Sequence, residues 1–212
     1  MISSIRKLSW FIILVVVLFL SLGLMAYAWW LYKIESGTRA YKKGDLPAAA
    51  GIYAAAEEPF IQVPWLAHLV RKDYQKLIFD GVSILYGEGK DEEVIKKLED
   101  AAAGFPYLGE TGEFSFWMGN SLLRQAMRSK NPDASAGGLK AALAEYQRGL
   151  AAHPEDWDLK YNYELVRHTL SRRGLDKTEE DEDEEGGVKS LLDKMEPQKD
   201  KMDKQLPREK RG

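Results

Sequence analysis

Apolar residues fall in two patterns along this chain. The first is an unbroken run, Leu8–Tyr32 (LSWFIILVVVLFLSLGLMAYAWWLY), which contains no charge. At ~1.5 Å per residue its roughly 25 residues reach about 37 Å as a helix, enough to cross a ~30 Å hydrocarbon layer with some tilt. Trp10 stands at one end and Trp29, Trp30 and Tyr32 at the other, where rings belong at the two membrane interfaces. Residues 1–34 are therefore expected to form an amino-terminal transmembrane anchor in contact with lipid over residues 8–32. A cleaved leader competes with this reading, because Ala26-Tyr27-Ala28 has the small-x-small form of a processing site. The apolar stretch Trp10–Leu24 is long for a leader and two tryptophans follow the cut, so the retained anchor is favoured. Arg6, Lys7 and the terminal amine favour an inside amino terminus, against Lys33, Arg39, Lys42 and Lys43 beyond the span.

The second pattern has helical period and runs from about Glu35 to Ser171. Ala141–Tyr163 (AALAEYQRGLAAHPEDWDLKYNY) shows it best: small residues Ala142 and Gly149 flank Tyr146, Pro154 marks a turn, and Trp157 opens a further helix. A related register begins at Gly37, turns at Gly44-Asp45, and continues through Ala49, Tyr53 and Ala56. It returns at Val82, Gly89, Val94, Leu98 and Ala101, and again at Gly119 and Ala126. Small residues let two helix backbones approach, and a ring fills the gap beside them. Gly37, Ala49, Tyr53, Gly119, Ala142, Tyr146 and Gly149 are the expected packing positions. The valines of the second unit predict a wider crossing there.

This register resembles the tetratricopeptide repeat (TPR). The resemblance implies an all-α, TPR-like array of about three helical hairpins over residues 35–174, closed by a cap helix at Trp157–Leu170; no strand pattern competes. Gly44 to Gly89 is 45 residues and Val94 to Ala142 is 48, against ~34 for a regular array. The excess is placed in two segments. Pro59–His68 contains prolines that predict a break in any helix, and Arg128–Gly138 (RSKNPDASAGG) reads as a flexible turn-rich loop. After residue 174 comes a tail, 175–212, with seven successive acids at Glu179–Glu185; it is expected to be disordered and solvating, with two helical turns available at Val188–Met195.

Composition narrows the function. The chain has 212 residues, a formal net charge of −3 and no cysteine, which excludes disulfides, thiolate metal sites and a cysteine nucleophile. No basic–aromatic platform points to nucleic acid. His68, His153 and His168 form no close ligand pair, and no phosphate loop, nucleophile elbow or dinucleotide motif occurs. No catalytic residue, metal or cofactor is expected. What remains is a surface. In stacked hairpins the first helix of each unit lines a groove, which nominates Lys76, Phe79 and Ser83, then Phe116, Asn120 and Arg124, with Tyr161 and Leu165 on the cap. Asn120 follows Gly119, where the repeat family often bonds a peptide backbone, and Arg124 could pair a carboxylate. For Phe79 and Phe116, core packing competes with this role.

An anchor, a short degenerate array ending in Trp157–Arg167 (WDLKYNYELVR) and an acidic tail are together similar to small membrane-bound TPR proteins encoded beside MoxR-type ATPases and von Willebrand factor A proteins in bacteria. The MxaK-like accessory proteins of methanol oxidation form one branch. Tyr161-Asn162-Tyr163-Glu164-Leu165, running towards the acids, carries the likeness. It implies a tethered protein–protein interaction adaptor in the bacterial inner membrane, with a single pass and a periplasmic carboxy-terminal domain. Its implied role is to help assemble or mature a periplasmic or membrane complex, with von Willebrand factor A proteins or a MoxR-linked complex as partners. A bitopic structural subunit and an envelope chaperone for unfolded chains are the alternatives.

Overall fold

A computed structural model describes residues 2–175, with side chains from Trp10 onward. The expectations for Glu179–Glu185, Val188–Met195 and the rest of the tail lie outside the described residues. The fold is all-α and TPR-like. α1 (Ile2–Lys42) and α2 (Leu46–Gln62) form a hairpin, and a single-turn α3 (Leu66–Leu69) leads to α4 (Arg71–Gly87). There follow α5 (Asp91–Gly104), the short α6 (Pro106–Gly109), α7 (Gly112–Arg128), α8 (Pro132–Ala152) and α9 (Trp157–Arg172). The described residues divide into two compact units, with the division between Ile84 and Leu85 inside α4.

The turns follow from local chemistry. α1 closes with Gly44 at φ +80°, its N–H donating to Tyr41 O (2.9 Å) while Asp45 N–H donates to Ala40 O (3.1 Å). α4 ends the same way at Gly89 (φ +77°), with donors to Tyr86 O and Leu85 O. This paired closure needs a left-handed residue, which glycine adopts without steric cost. α2, α7 and α9 are capped by side chains: Asp45 accepts from Ala48 N–H (3.1 Å), Thr111 from Phe114 N–H (3.2 Å), and Asp156 from Leu159 N–H (3.1 Å).

Of the two expected interruptions, the second differs from its reading and the first does not. The second is no flexible loop: α8 already begins at Pro132, and the turn is only Ser129–Asn131. The Asn131 side chain accepts from Asp133 and Ala134 N–H, proline occupies the first turn where its missing donor costs nothing, and Asp133 complements the helix dipole. Ser135 Oγ then donates to Ala126 O (2.8 Å), fixing α8 against α7. The first interruption falls within Pro59–His68 as expected, although Pro59 itself sits inside α2. A proline there deprives the carbonyl four residues back of its partner. That carbonyl, Ala55 O, instead accepts from Lys33 Nζ (3.1 Å), and the next, Ala56 O, accepts from Trp30 Nε1 (2.8 Å), both donors on α1. The helix breaks at Val63–Trp65, around Pro64.

In the first unit the core joins α1 to α2 and α4. Trp30 and Ile34 of α1 are buried, and the rings Trp30, Phe60 and Tyr74 pack in series at 5.1 and 4.9 Å between centroids. In the second unit Ala126, Leu139, Tyr146, Leu159, Val166 and Leu170 belong to one apolar cluster across α7, α8 and α9. Each fully buried leucine or valine there contributes ~1.5–3 kcal/mol relative to exposure.

Candidate interaction face

The packing positions come first, since they fix everything else. A Cβ on Gly37 would lie 2.7 Å from Tyr53 Cε1, and one on Gly119 would lie 2.5 Å from Tyr146 Cε1. Gly149 meets Ser115 and Leu159 as closely, and Ala49 and Ala142 are fully buried. Each ring therefore lies against bare helix backbone. The hydroxyl is then bonded by the residue after the glycine: Thr38 Oγ1 is 3.1 Å from Tyr53 Oη, and Tyr146 Oη donates to Asn120 Oδ1 (2.6 Å). Burial pushes both phenols above the ordinary tyrosine range.

In the first unit, Lys76 is exposed and ion-paired with Asp80 one turn on. Phe79 is buried core, and Ser83 Oγ donates to Asp80 O (2.7 Å). Of these three, only Lys76 presents its side chain fully to solvent.

In the second unit, Arg124 is enclosed by its own chain. Its Nε donates to both oxygens of Asp91 (2.7 and 2.9 Å), its Nη2 donates to Tyr86 O (2.7 Å), and its guanidinium lies 3.5 Å from the Tyr86 ring centroid. Arg128 adds a further ion pair to Asp91, which is itself buried. This cluster ties the end of α4 and the start of α5 to α7. An arginine so engaged is a poor ligand for a partner's carboxylate, because it would have to abandon a desolvated pair. Sequence reasoning missed Asp91 and Tyr86 as its partners.

Asn120 differs. Its oxygen accepts from Tyr146 Oη and from Asn162 Nδ2 (3.1 Å) on α9, while no hydrogen bond from its own amide nitrogen is found among the described residues. Phe116 is half-buried against the core cluster, edge-on to Trp117 at 5.1 Å. On α9, Tyr161 is 69% exposed and Leu165 44%, one turn apart. Trp157 continues the same row a turn earlier, exposed, with Lys160 over its ring. Its spacing of four from Tyr161 was the signal available for adding it. Among the described residues no cluster of three or more metal-ligating side chains occurs.

No protein-family model and no curated protein matches the sequence. Solved structures do. TTC0263, a thermophilic TPR protein of Thermus thermophilus, superposes with a TM-score of 0.54 at 14% identity, over 68% of this chain and 68% of that one. The first TPR of Spaghetti (RPAP3), bound to the HSP90 peptide SRMEEVD, gives 0.51 at 15% identity, over 67% of this chain and 93% of that one. At such identities the likeness speaks for the fold, and the glycine–tyrosine crossings above are its physical basis: the chain folds as TPR proteins do.

Proposed function

We propose that this protein is a membrane-tethered interaction adaptor without catalysis of its own, which holds a protein segment on the α7–α9 face of its second unit. The observation that carries the reading is the row Trp157, Tyr161 and Leu165 on α9, solvent-facing and apolar, on the helix that bonds Asn120. Asn120 offers an amide donor to a bound backbone carbonyl, and the rings offer area at low entropic cost. A structure of similar fold holds a peptide, the HSP90 segment SRMEEVD. Arg124 belongs to the frame of this face.

α1 supports the tether. From Trp10 it is long and apolar enough to cross a bilayer, and Ser21 Oγ donates to Val17 O (2.8 Å), so that this hydroxyl needs no water. The candidate processing site Ala26-Tyr27-Ala28 lies within the helix, and Tyr27 Oη donates to Asp73 (2.6 Å). Cleavage would remove that bond, which supports retention. Tethering raises the effective concentration of a modest-affinity partner. The further reading rests on resemblance through Tyr161–Leu165. It places the domain in the periplasm at the inner membrane of a bacterium, assisting assembly or maturation of a complex, with a von Willebrand factor A protein or a MoxR-linked complex as partner.

A photo-crosslinking residue at Tyr161 in the full chain, in native membranes, tests the face against Lys140, an exposed position on α8. Discrete adducts at Tyr161, lost on Leu165→Asp and absent at Lys140, are expected. Identical adducts at both positions, or none at Tyr161, would sink the proposal.

A further inference from the structure

The segment between α2 and α4 has an unusual surface. Ile61 is 65% exposed, Trp65 60% and Leu69 70%, with Val63 also open to solvent. Four large apolar side chains within nine residues have no cover, in the same stretch that makes this unit longer than a regular repeat. Much of its backbone nevertheless bonds internally. Val63 N–H donates to Pro59 O, Leu66 to Val63 O, Ala67 to Pro64 O and His68 to Trp65 O, and Pro64 has no donor to satisfy.

Where the segment lies is fixed by α1. Immediately before it, Phe60 packs edge-on to Trp30, whose indole bonds Ala56 O. Immediately after it, Asp73 accepts from Tyr27, and Tyr74 packs on Phe60. Both ends of the segment are thus pinned at Tyr27–Trp30. At ~1.5 Å per residue, α1 rises about 26 Å from Trp10 to Tyr27 and about 30 Å to Trp30, the thickness of a hydrocarbon layer. The corner sits level with the edge of that layer, at the height where α1 also exposes the rings of Trp29 and Tyr32.

We infer that Ile61–Leu69 is a second membrane contact, a corner whose apolar side chains enter the bilayer interface beside the span. This rests on the tethered reading above and adds to it. The bilayer is the occupant because the corner is continuous with the span and level with its exit. A tryptophan in a short segment whose backbone bonds internally suits the interface, where amphipathic rings partition. Two contacts instead of one also restrict how far the first unit can tilt about α1. The bond from Tyr27 to Asp73 holds the start of α4 to α1, and the rings and indole bond of Trp30 hold α2 to it, so both transmit that restriction.

The absence of cysteine makes the test direct. Single variants Leu69→Cys, Leu18→Cys and Tyr41→Cys in the full chain are spin-labelled. They are reconstituted into phosphatidylcholine–phosphatidylglycerol vesicles, and collision rates with oxygen and with a water-soluble nickel chelate are compared. Leu18 reports the span, and Tyr41 reports exposed helix ~21 Å beyond Tyr27. The expected result is an oxygen-to-nickel ratio at Leu69 several-fold above that at Tyr41 and below that at Leu18. A ratio at Leu69 equal to that at Tyr41, with Leu18 deep in lipid, overturns the corner contact and leaves the tether standing. A label at Leu69 shielded from both reagents also overturns it and points to a protein on this patch. Water-like values at Leu18 defeat the tether itself, and the corner with it.

Discussion

The hairpin α1–α2 and the hairpin α7–α8 solve the same packing problem at the same three positions. Each has a glycine on its first helix, a tyrosine on its second, and a hydroxyl or amide immediately after the glycine to bond the ring's oxygen. They differ in what stands behind the polar residue. Thr38 bonds Tyr53 and turns back to its own helix at Ile34 O (3.3 Å), whereas Asn120 bonds Tyr146 and is bonded in turn by Asn162 of α9. In the first hairpin these hydrogen bonds join two helices, with Asp80 of α4 close enough to raise the Tyr53 phenol; in the second they join three. The lesson is that one small–ring contact can close a pair, while a side chain with a second hydrogen-bonding lone pair lets the contact propagate to the next helix.

The largest way to break the second assembly lies outside the tyrosine. Asp91→Ala removes the carboxylate from Arg124, whose side chain is 23% exposed, and from Arg128. Leaving a desolvated guanidinium without its partner costs about 3–5 kcal/mol. Urea unfolding of the full chain in detergent should show this loss, and the double variant Asp91→Leu with Arg124→Met should recover much of it. By contrast, Lys96→Ala, which breaks a solvent-exposed pair with Asp100, should leave the urea midpoint unchanged.

Next come the glycines. Gly119→Ala forces a Cβ to 2.5 Å from a fully buried ring that Asn120 holds in place, and about 3 kcal/mol is expected. Gly37→Ala meets its ring at 2.7 Å, a less severe overlap with a less deeply buried tyrosine, and should cost about 2 kcal/mol. The helix propensity gained by alanine offsets up to ~1 kcal/mol at either site. Equal costs at the two sites would undo the distinction drawn between them. Tyr146→Phe and Tyr53→Phe then isolate the hydroxyls, at about 1 kcal/mol each. The double mutant Tyr146→Phe with Asn162→Ala should be non-additive, because both residues donate to one oxygen of Asn120.

The fold is legible in the sequence because its signals are local. The spacing of Gly37 to Tyr53 and of Ala142 through Tyr146 to Gly149 lies within single hairpins, and a reader of the sequence can match it by eye. What escapes such a reading is non-local. Within Pro59–His68 the sequence does not say which proline breaks the helix, because the donors that let Pro59 stay helical, Trp30 and Lys33, lie on the preceding helix. Arg124 reads as a cation facing a groove because Asp91, its carboxylate, stands 33 residues earlier. Asn131-Pro132-Asp133 is a different kind of failure: its capping chemistry is local, but the glycines after it suggest a loop. The exposed row on α9 is partly visible, since Tyr161 and Leu165 share a face by spacing alone.

The smallest effect concerns the residue before each tyrosine. In α2 it is Ile52, whose Cγ2 packs 3.2 Å from the Cβ position of Gly37; in α8 it is Glu145. Burial raises the Glu145 carboxyl above its ordinary value, and Arg148 one turn on only partly counters this. The folded state therefore binds this proton more tightly than the unfolded state does. The stabilising contribution is present at pH below the unfolded value and is lost as pH rises through the folded one. Glu145→Gln removes that dependence. Between pH 4 and pH 7 the wild type should therefore lose a few tenths of a kcal/mol relative to the variant, read as a small relative fall in its melting temperature. The same substitution logic cannot act in the first hairpin, where Ile52 does not titrate. A chain carrying Ile52→Glu should acquire, at α1–α2, the acid-favoured stability that Glu145 gives to α7–α8. If it does not, the two hairpins present different solvent environments at matched positions, and their likeness ends at the ring.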